Sequence, residues 1–195
     1  MDRHYKIDSK ITYSVEPIKQ KWNGVAQHVA AVVLDGTDSI VLTIFATLSD
    51  VSIYSVYHLV VYGVKQLFNS MTNGVQALMG ELWAKQELLE LKDFFGWVEW
   101  VIHTGTVFAF SCTGALILPF VSIYTRGIND ADYIQPLFAA VLVTANAAHC
   151  LCTPYHLMIL AGGHYKQTQN SFVISAVMNI VLSIILVNNY GLIGV

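Results

Sequence analysis

FFGWVEWVIHTGTVFAFSCTGALILPFVSIY, residues 94–124, is the stretch that decides the fold of this chain. Its apolar side chains form one continuous run and do not alternate with polar ones, which favours a helix over a strand. A helix of about 20 mostly apolar residues spans the hydrocarbon core of a bilayer, and this stretch is longer than that. The sequence therefore predicts a membrane-spanning helix here.

Similar runs lie on both sides of this stretch. We predict an all-α membrane protein with five spans, at residues 24–47, 51–83, 94–124, 133–163 and 168–188, and the start of a sixth at Leu192. The bundle would occupy residues 24–195, after a polar N-terminal segment at residues 1–23. Only 12% of the chain is charged, against about 25% in soluble domains. The end of the chain inside an apolar run is typical of a piece of a longer protein.

The basic residues predict the orientation of the bundle. Most of them fall on one side of the five predicted spans: Arg3, Lys6, Lys10, Lys19, Lys21, Lys85, Lys92 and Lys166. Cytoplasmic loops of membrane proteins carry an excess of lysine and arginine, so we expect a cytoplasmic N-terminus. No basic patch lies outside these loops, which argues against a nucleic-acid partner.

Each predicted span carries polar residues at helical spacing. Steps of three, four and seven place side chains on one face of a helix. The faces are formed by His28, Asp35 and Asp38; by His58, Lys65, Asn69, Thr72 and Gln76; by Glu99, His103, Thr106 and Thr113; by Asn146, His149, Thr153 and His156; and by Ser171, Ser175, Asn179 and Ser183. Such faces predict a hydrated central cleft. The alternative is that they only hydrogen-bond the helices to one another.

The charged members of these faces are the strongest site candidates. A charge at mid-membrane costs at least about 2.5–3.5 kcal/mol, so Asp35, Asp38, Lys65 and Glu99 need a reason to be there. Asp35 and Asp38 flank Gly36, and two carboxylates at this spacing can share a proton or hold a hard cation such as sodium. Pairing of these carboxylates with Lys65 is the alternative.

The fourth span contains His149-Cys150-x-Cys152-x3-His156, which has metal-ligating residue types. Pro154 predicts a kink in this segment, and the spacing matches no metal motif, so we predict no metal site. The cysteines are expected to be free thiols packed as small apolar groups. No nucleophile and base are placed together by these runs, so we expect neither a catalytic residue nor a cofactor.

Four segments, taken in order, resemble one family. VLDGTDSIVLTIF (residues 33–45) and VSIYSVYHLVVYGVKQLFNSM (51–71) resemble the seventh and eighth helices of bacterial oligosaccharide flippases. PFVSIYTRGINDADYIQPLFA (119–139) resembles an outside loop and the helix after it, and residues 154–195 resemble the tenth and eleventh helices and the entry to the twelfth. These flippases are the polysaccharide biosynthesis proteins of the multidrug/oligosaccharidyl-lipid/polysaccharide exporter superfamily.

The resemblance implies the C-terminal bundle of a twelve-helix transporter in the bacterial plasma membrane, with an N-terminal six-helix bundle as its missing partner. The implied activity is movement of lipid-linked oligosaccharide across that membrane, with membrane lipids around the bundle. Lys65 would contact the anionic, pyrophosphate-linked sugar, and Asp38 would bind the coupling ion.

The same implied cleft gives two sets of site residues. The expected substrate contacts are Lys65, His58, Asn69, Gln76, Glu99 and His103, and the expected ion-coupling residues are Asp35, Asp38 and Asn179. Three alternatives remain open: a multidrug/cation antiporter of the same superfamily, a membrane-embedded enzyme using the histidines and cysteines of the fourth span, and a non-transporting membrane fragment.

Overall fold

A computed structural model describes residues 21–128 and 130–194, and these residues form helices without any strand. The helices are α1 (Lys21–Phe45), α2 (Leu48–Ala84), α3 (Leu88–Tyr124), α4 (Pro136–Ala161), α5 (Tyr165–Tyr190) and a terminal 3-10 helix at Gly191–Gly194. The predicted all-α class is confirmed. Most of the predicted polar N-terminal segment, residues 1–20, lies outside the described residues.

Each α-helix coincides with one predicted run, and the largest difference is the start of α3. This helix begins at Leu88 and not at residue 94, because Leu91 is only 5% exposed and packs into the apolar core. The chain reverses between α2 and α3 at Gln86, which has a positive φ of 60°. Lys85 donates a hydrogen bond to the Glu81 carboxylate at 2.6 Å, and that contact raises the pKa of Lys85.

The turn between α1 and α2 is fixed by a capping box. Thr47 Oγ1 accepts from the backbone N–H of Asp50 at 3.2 Å, and Asp50 Oδ2 accepts from the backbone N–H of Thr47 at 3.1 Å. This reciprocal pair satisfies two N–H groups that a helix start otherwise leaves unpaired. The capping box therefore fixes the start of α2 directly after Thr47.

The helices pack in two groups. α2, α3 and α4 all contact one another, whereas α1 packs mainly along α5 and touches α2 less extensively. The face of α3 that enters the first group repeats every three to seven residues, as a helical stripe requires. Its buried residues are Leu91, Val98, Ile102, Thr106, Phe110, Thr113, Ile117 and Val121.

Two apolar clusters fill the interior. One surrounds Tyr57 and Phe138 and lies toward the end of the bundle that carries the α3–α4 loop. The other surrounds Met79 and Leu157 and lies toward the opposite end, beside the α2–α3 turn. We call these two ends the loop end and the turn end.

Within residues 21–128 and 130–194, three helical segments are long and apolar enough to cross a membrane: Leu88–Tyr124, Pro136–Ala161 and Gln167–Gly194. α1 makes a fourth only if its two halves, bent by 46° between His28–Leu34 and Gly36–Phe45, are counted as one span. The composition therefore supports three or four spans, fewer than the five predicted. α2 does not qualify because polar side chains interrupt its apolar sequence.

The outer surface of these helices is apolar. On α3, Trp100, Phe108, Leu116 and Ile123 are between 63% and 75% exposed. Apolar exposure on this scale is not found on the surface of ordinary soluble monomers and marks a membrane or protein contact. The membrane character predicted from the sequence is supported by both the length and the surface of the helices.

Candidate functional site

Asp38 and Lys65, two of the charged site candidates, lie at different levels along the length of α2. The hydroxyl of Tyr54 donates to Oδ2 of Asp38 on α1 at 3.5 Å. Lys65 is 9% exposed and lies within electrostatic reach of the Cys150 thiol on α4. Tyr54 and Lys65 are eleven positions apart on α2, which is about 16 Å along the axis. Asp38 therefore meets α2 near the loop end, and Lys65 is attached to the middle of the bundle.

Glu99 and His103, the predicted substrate contacts of α3, both reach α4. Glu99 accepts a hydrogen bond from the hydroxyl of Tyr155. His103 Nε2 lies 3.0 Å from the carbonyl oxygen of Leu151, three residues before Pro154. A proline inside a helix removes one backbone hydrogen bond and pushes the preceding turn open. The histidine thus reaches a carbonyl in the turn that the proline loosens.

The longest polar arrangement runs along one side of α2. It consists of Tyr54, His58, Tyr62, Gln66 and Asn69, which we call the polar ladder. The ring centroids of Tyr54 and His58 are 5.2 Å apart, and those of His58 and Tyr62 are also 5.2 Å apart. The Gln66 amide nitrogen donates to the Tyr62 hydroxyl, and Asn69 Nδ2 donates to Gln66 Oε1 at 3.3 Å. Each member touches the next because residues three or four apart are neighbours on a helix.

The polar ladder passes from the protein interior to the surface. Tyr54 is 3% exposed beside α1, whereas Tyr62 is 41% exposed and Gln66 is also exposed. Gln76, a predicted substrate contact, continues the same side of α2 and is partly exposed. Spread over fifteen positions, the polar ladder is about 22 Å long.

Lys65 lies on the same face of α2 as the polar ladder. At 3.6 residues per turn, its position falls between those of Tyr54 and His58, at the edge of the ladder nearest the buried stripe that includes Val61 and Met79. The residue is buried in the group formed by α2, α3 and α4. Its ammonium group therefore belongs to the interior edge of the polar side of α2.

The remaining predicted ion-coupling residues are less well defined. The side chain of Asp35 lies outside the described residues. Two buried oxygen atoms have no hydrogen-bond partner within the part of the chain that the structure describes. They are Oδ1 of Asn179 on α5 and Oγ1 of Thr106 on α3. Thr106 is 0% exposed, so its orphaned hydroxyl lies in the packed interior.

The histidine and cysteine side chains of α4 lie in different environments. Cys150 is buried and Cys152 is exposed. The ring of His156 packs against Phe172 of α5, with centroids 5.2 Å apart. Across residues 21–128 and 130–194, no group of three His, Cys, Asp or Glu side chains is arranged to hold a metal ion.

The sequence interpretation missed part of the polar ladder. Tyr54, Tyr62 and Gln66 were not predicted as site residues, although they share the four-residue spacing of His58. That spacing is the signal that would have identified them, since aromatic and amide side chains at i and i+4 make contact on a helix.

No protein-family model matches this chain, and neither a curated protein nor a solved structure matches it. The resemblance to oligosaccharide flippases therefore remains a prediction from the quoted segments.

Proposed function

We propose that this bundle is the C-terminal half of a transporter that moves lipid-linked oligosaccharide across the bacterial plasma membrane. In this proposal all five α-helices cross the membrane and the N-terminus is cytoplasmic. A six-helix N-terminal bundle would supply the other wall of the path, and membrane lipids would cover the apolar outer faces.

The observation that carries the proposal is the exposed polar side of α2. Gln66 and Tyr62 are exposed, and both lie on a helix packed between α3 and α4, which are apolar enough to span a membrane. A polar group facing hydrocarbon without a hydrogen-bond partner costs several kcal/mol. A helix held in this position is stable in a membrane when its polar side faces water or another polar surface. A hydrated path beside α2 meets that requirement.

The placement of α2 explains why this helix is less apolar than α3 and α4, the two helices that it packs against. Its buried stripe packs against α3 and α4, whereas Tyr62 and Gln66 of its polar ladder are exposed. Helices that line aqueous paths carry polar groups toward the path, so they are less apolar than helices surrounded by lipid. The low apolarity of α2 thus supports the transporter interpretation.

Flipping in reconstituted vesicles tests the proposal. The chain, joined to the six-helix N-terminal bundle that the proposal requires, is placed in liposomes that carry a lipid-linked oligosaccharide with a fluorescent label on the sugar, and dithionite is added outside. We expect bleaching to extend from the outer-leaflet label to the inner-leaflet label, because flipping exposes both pools. Vesicles without protein give the baseline.

Lys65→Met is the informative variant, since methionine keeps the length of the side chain and removes the charge. We expect slower flipping with Lys65→Met and no change with Lys85→Met, which alters a lysine in the exposed α2–α3 turn. Persistent protection of the inner-leaflet label in vesicles that contain both bundles would contradict the proposal. Uptake of a lipophilic cation by the same vesicles tests the antiporter alternative.

A further inference from the structure

We propose that the outer part of the polar ladder, formed by the exposed Tyr62 and Gln66 and the half-buried Asn69, binds the neutral sugar portion of a polyhydroxylated ligand. This inference rests on the proposed function and deepens it, because it assigns a different part of the substrate to a different part of α2. The charged portion would lie toward Lys65, and the sugar rings would lie along the ladder.

The hydrogen-bonding capacity of these three residues matches hydroxyl groups. The contacts within the ladder use one amide hydrogen of Gln66, its amide oxygen, and one amide hydrogen of Asn69. An amide carries two donor hydrogens and an acceptor oxygen, and a phenol carries one donor hydrogen. The second amide hydrogen of Gln66, the amide oxygen of Asn69 and the hydroxyl hydrogen of Tyr62 are left to bond a ligand. Sugar hydroxyls both donate and accept, so they can use this mixed set.

The internal contacts also hold these groups in place before a ligand arrives. The ring of Tyr62 is stacked on His58, with an interplanar angle of 21°, and its hydroxyl accepts from Gln66. A side chain that is already ordered loses less conformational freedom on binding. The ring of Tyr62 also offers an apolar face together with a polar tip, which suits the C–H faces and hydroxyl edges of a sugar.

The charges on this side of α2 favour a neutral ligand over a cation. Between Tyr62 and Gln76, α2 contains no carboxylate, and its one formal charge, Lys65, is positive and 9% exposed. A positive charge repels a lipophilic cation, and this stretch of α2 offers no carboxylate to offset the charge of Lys65. A neutral polyhydroxylated ligand therefore fits the exposed ladder better.

Binding measurements on the intact chain in lipid nanodiscs test this inference. The probes are maltoheptaose, a neutral oligosaccharide, and tetraphenylphosphonium, a lipophilic cation, each followed by calorimetric titration. Tyr62→Phe and Gln66→Leu remove hydrogen-bonding groups from the ladder and replace them with side chains that a membrane helix tolerates. Tyr124→Phe and Gln167→Leu make the same chemical changes at exposed positions outside the ladder.

We expect each ladder variant to weaken maltoheptaose binding about three- to tenfold, the range of one neutral hydrogen bond, and each control to leave it unchanged. Circular dichroism checks that all variants keep their helices. The inference would be overturned if the wild-type chain did not bind maltoheptaose, or if the ladder variants bound it as tightly as the wild type does. It would also be overturned if the ladder variants lost only tetraphenylphosphonium binding. Loss of sugar binding in Gln66→Leu while the wild type fails to flip lipid would reject transport but retain the sugar site.

Discussion

At the scale of single residues, Tyr57 does the most to join distant parts of the chain. Its side chain is 0% exposed, and its hydroxyl donates to the carbonyl of Tyr133 at 2.8 Å and accepts from the N–H of Gln135 at 3.0 Å. Both partners precede α4, so one hydroxyl ties the first third of α2 to the start of another helix. It also satisfies two backbone groups that would otherwise be unpaired at a helix start.

Tyr57→Phe is expected to destabilise the fold by about 1–3 kcal/mol, because it leaves the Gln135 N–H and the Tyr133 carbonyl without this partner. The measurement is the free energy of unfolding in mixed detergent micelles titrated with dodecyl sulfate. Tyr124→Phe is the matched control, since Tyr124 is 55% exposed and stacks on Phe120 only through its ring. Equal stabilities of the two variants would contradict this role of the hydroxyl.

The site residues were only partly predictable from the sequence. Polarity and spacing identified Lys65, His58 and Asn69, because a polar group on an apolar helix is visible in the sequence alone. The partner of each group was not visible. That Glu99 contacts Tyr155, for example, depends on how α3 packs against α4, and no local pattern encodes that packing. Tyr62 was missed because tyrosines were not counted among the polar residues of each predicted span.

At the scale of helices, the existence of each element was predictable and its ends were less so. Continuous apolar runs identify helices well, because their side chains must be buried in protein or lipid. The start of α3 was misplaced because residues 85–93 carry many charges, and the predicted span began only where the continuous apolar run begins. Leu91 and the cluster around Met79 show that apolar contacts at the turn end extend the helix through this charged stretch.

The contact between α3 and α4 gives a second prediction. His103→Phe removes the hydrogen bond to the Leu151 carbonyl and keeps a ring of similar size beside Tyr155. We expect a loss of about 1 kcal/mol of stability. In a Pro154→Ala background the loss should be smaller, since alanine restores a backbone N–H and closes the loosened turn.

A double-mutant cycle with His103→Phe and Pro154→Ala measures this coupling by dodecyl sulfate titration. We expect an interaction energy of at least about 0.5 kcal/mol, as found for residues that share a partner or a backbone shift. His28→Phe, at an exposed position on α1, should show no coupling to Pro154→Ala. Additive effects of His103→Phe and Pro154→Ala would show that the histidine does not depend on the kink.

At the scale of the whole molecule, the grouping of the helices was not predictable. Five polar faces suggested one shared centre, whereas the structure packs α2, α3 and α4 together and pairs α1 with α5. Only 17% of the most apolar stretch of α5 is buried, against 28% of the corresponding stretches of α3 and α4. A less buried group has fewer contacts to lose on opening, so its local stability is lower.

We therefore expect the backbone amides of α1 and α5 to exchange hydrogen together, and faster than those of α2, α3 and α4, in detergent micelles. Leu42→Ala sharpens this prediction, because Leu42 is 0% exposed and belongs to the apolar cluster that joins α1 to α2. Truncating a buried leucine costs about 2–5 kcal/mol. The variant should raise exchange in α1 and α5 at least tenfold while α2, α3 and α4 change little, since about 1.4 kcal/mol corresponds to a factor of ten.

Hydrogen–deuterium exchange followed by mass spectrometry makes this comparison helix by helix. Ile44→Ala is the control, because Ile44 lies on the same helix and is 67% exposed. Its removal should leave exchange in every helix unchanged. A uniform rise across all five α-helices in Leu42→Ala would mean that the bundle opens as one cooperative unit. In that case α1 and α5 would not be free to move against a stable group of α2, α3 and α4.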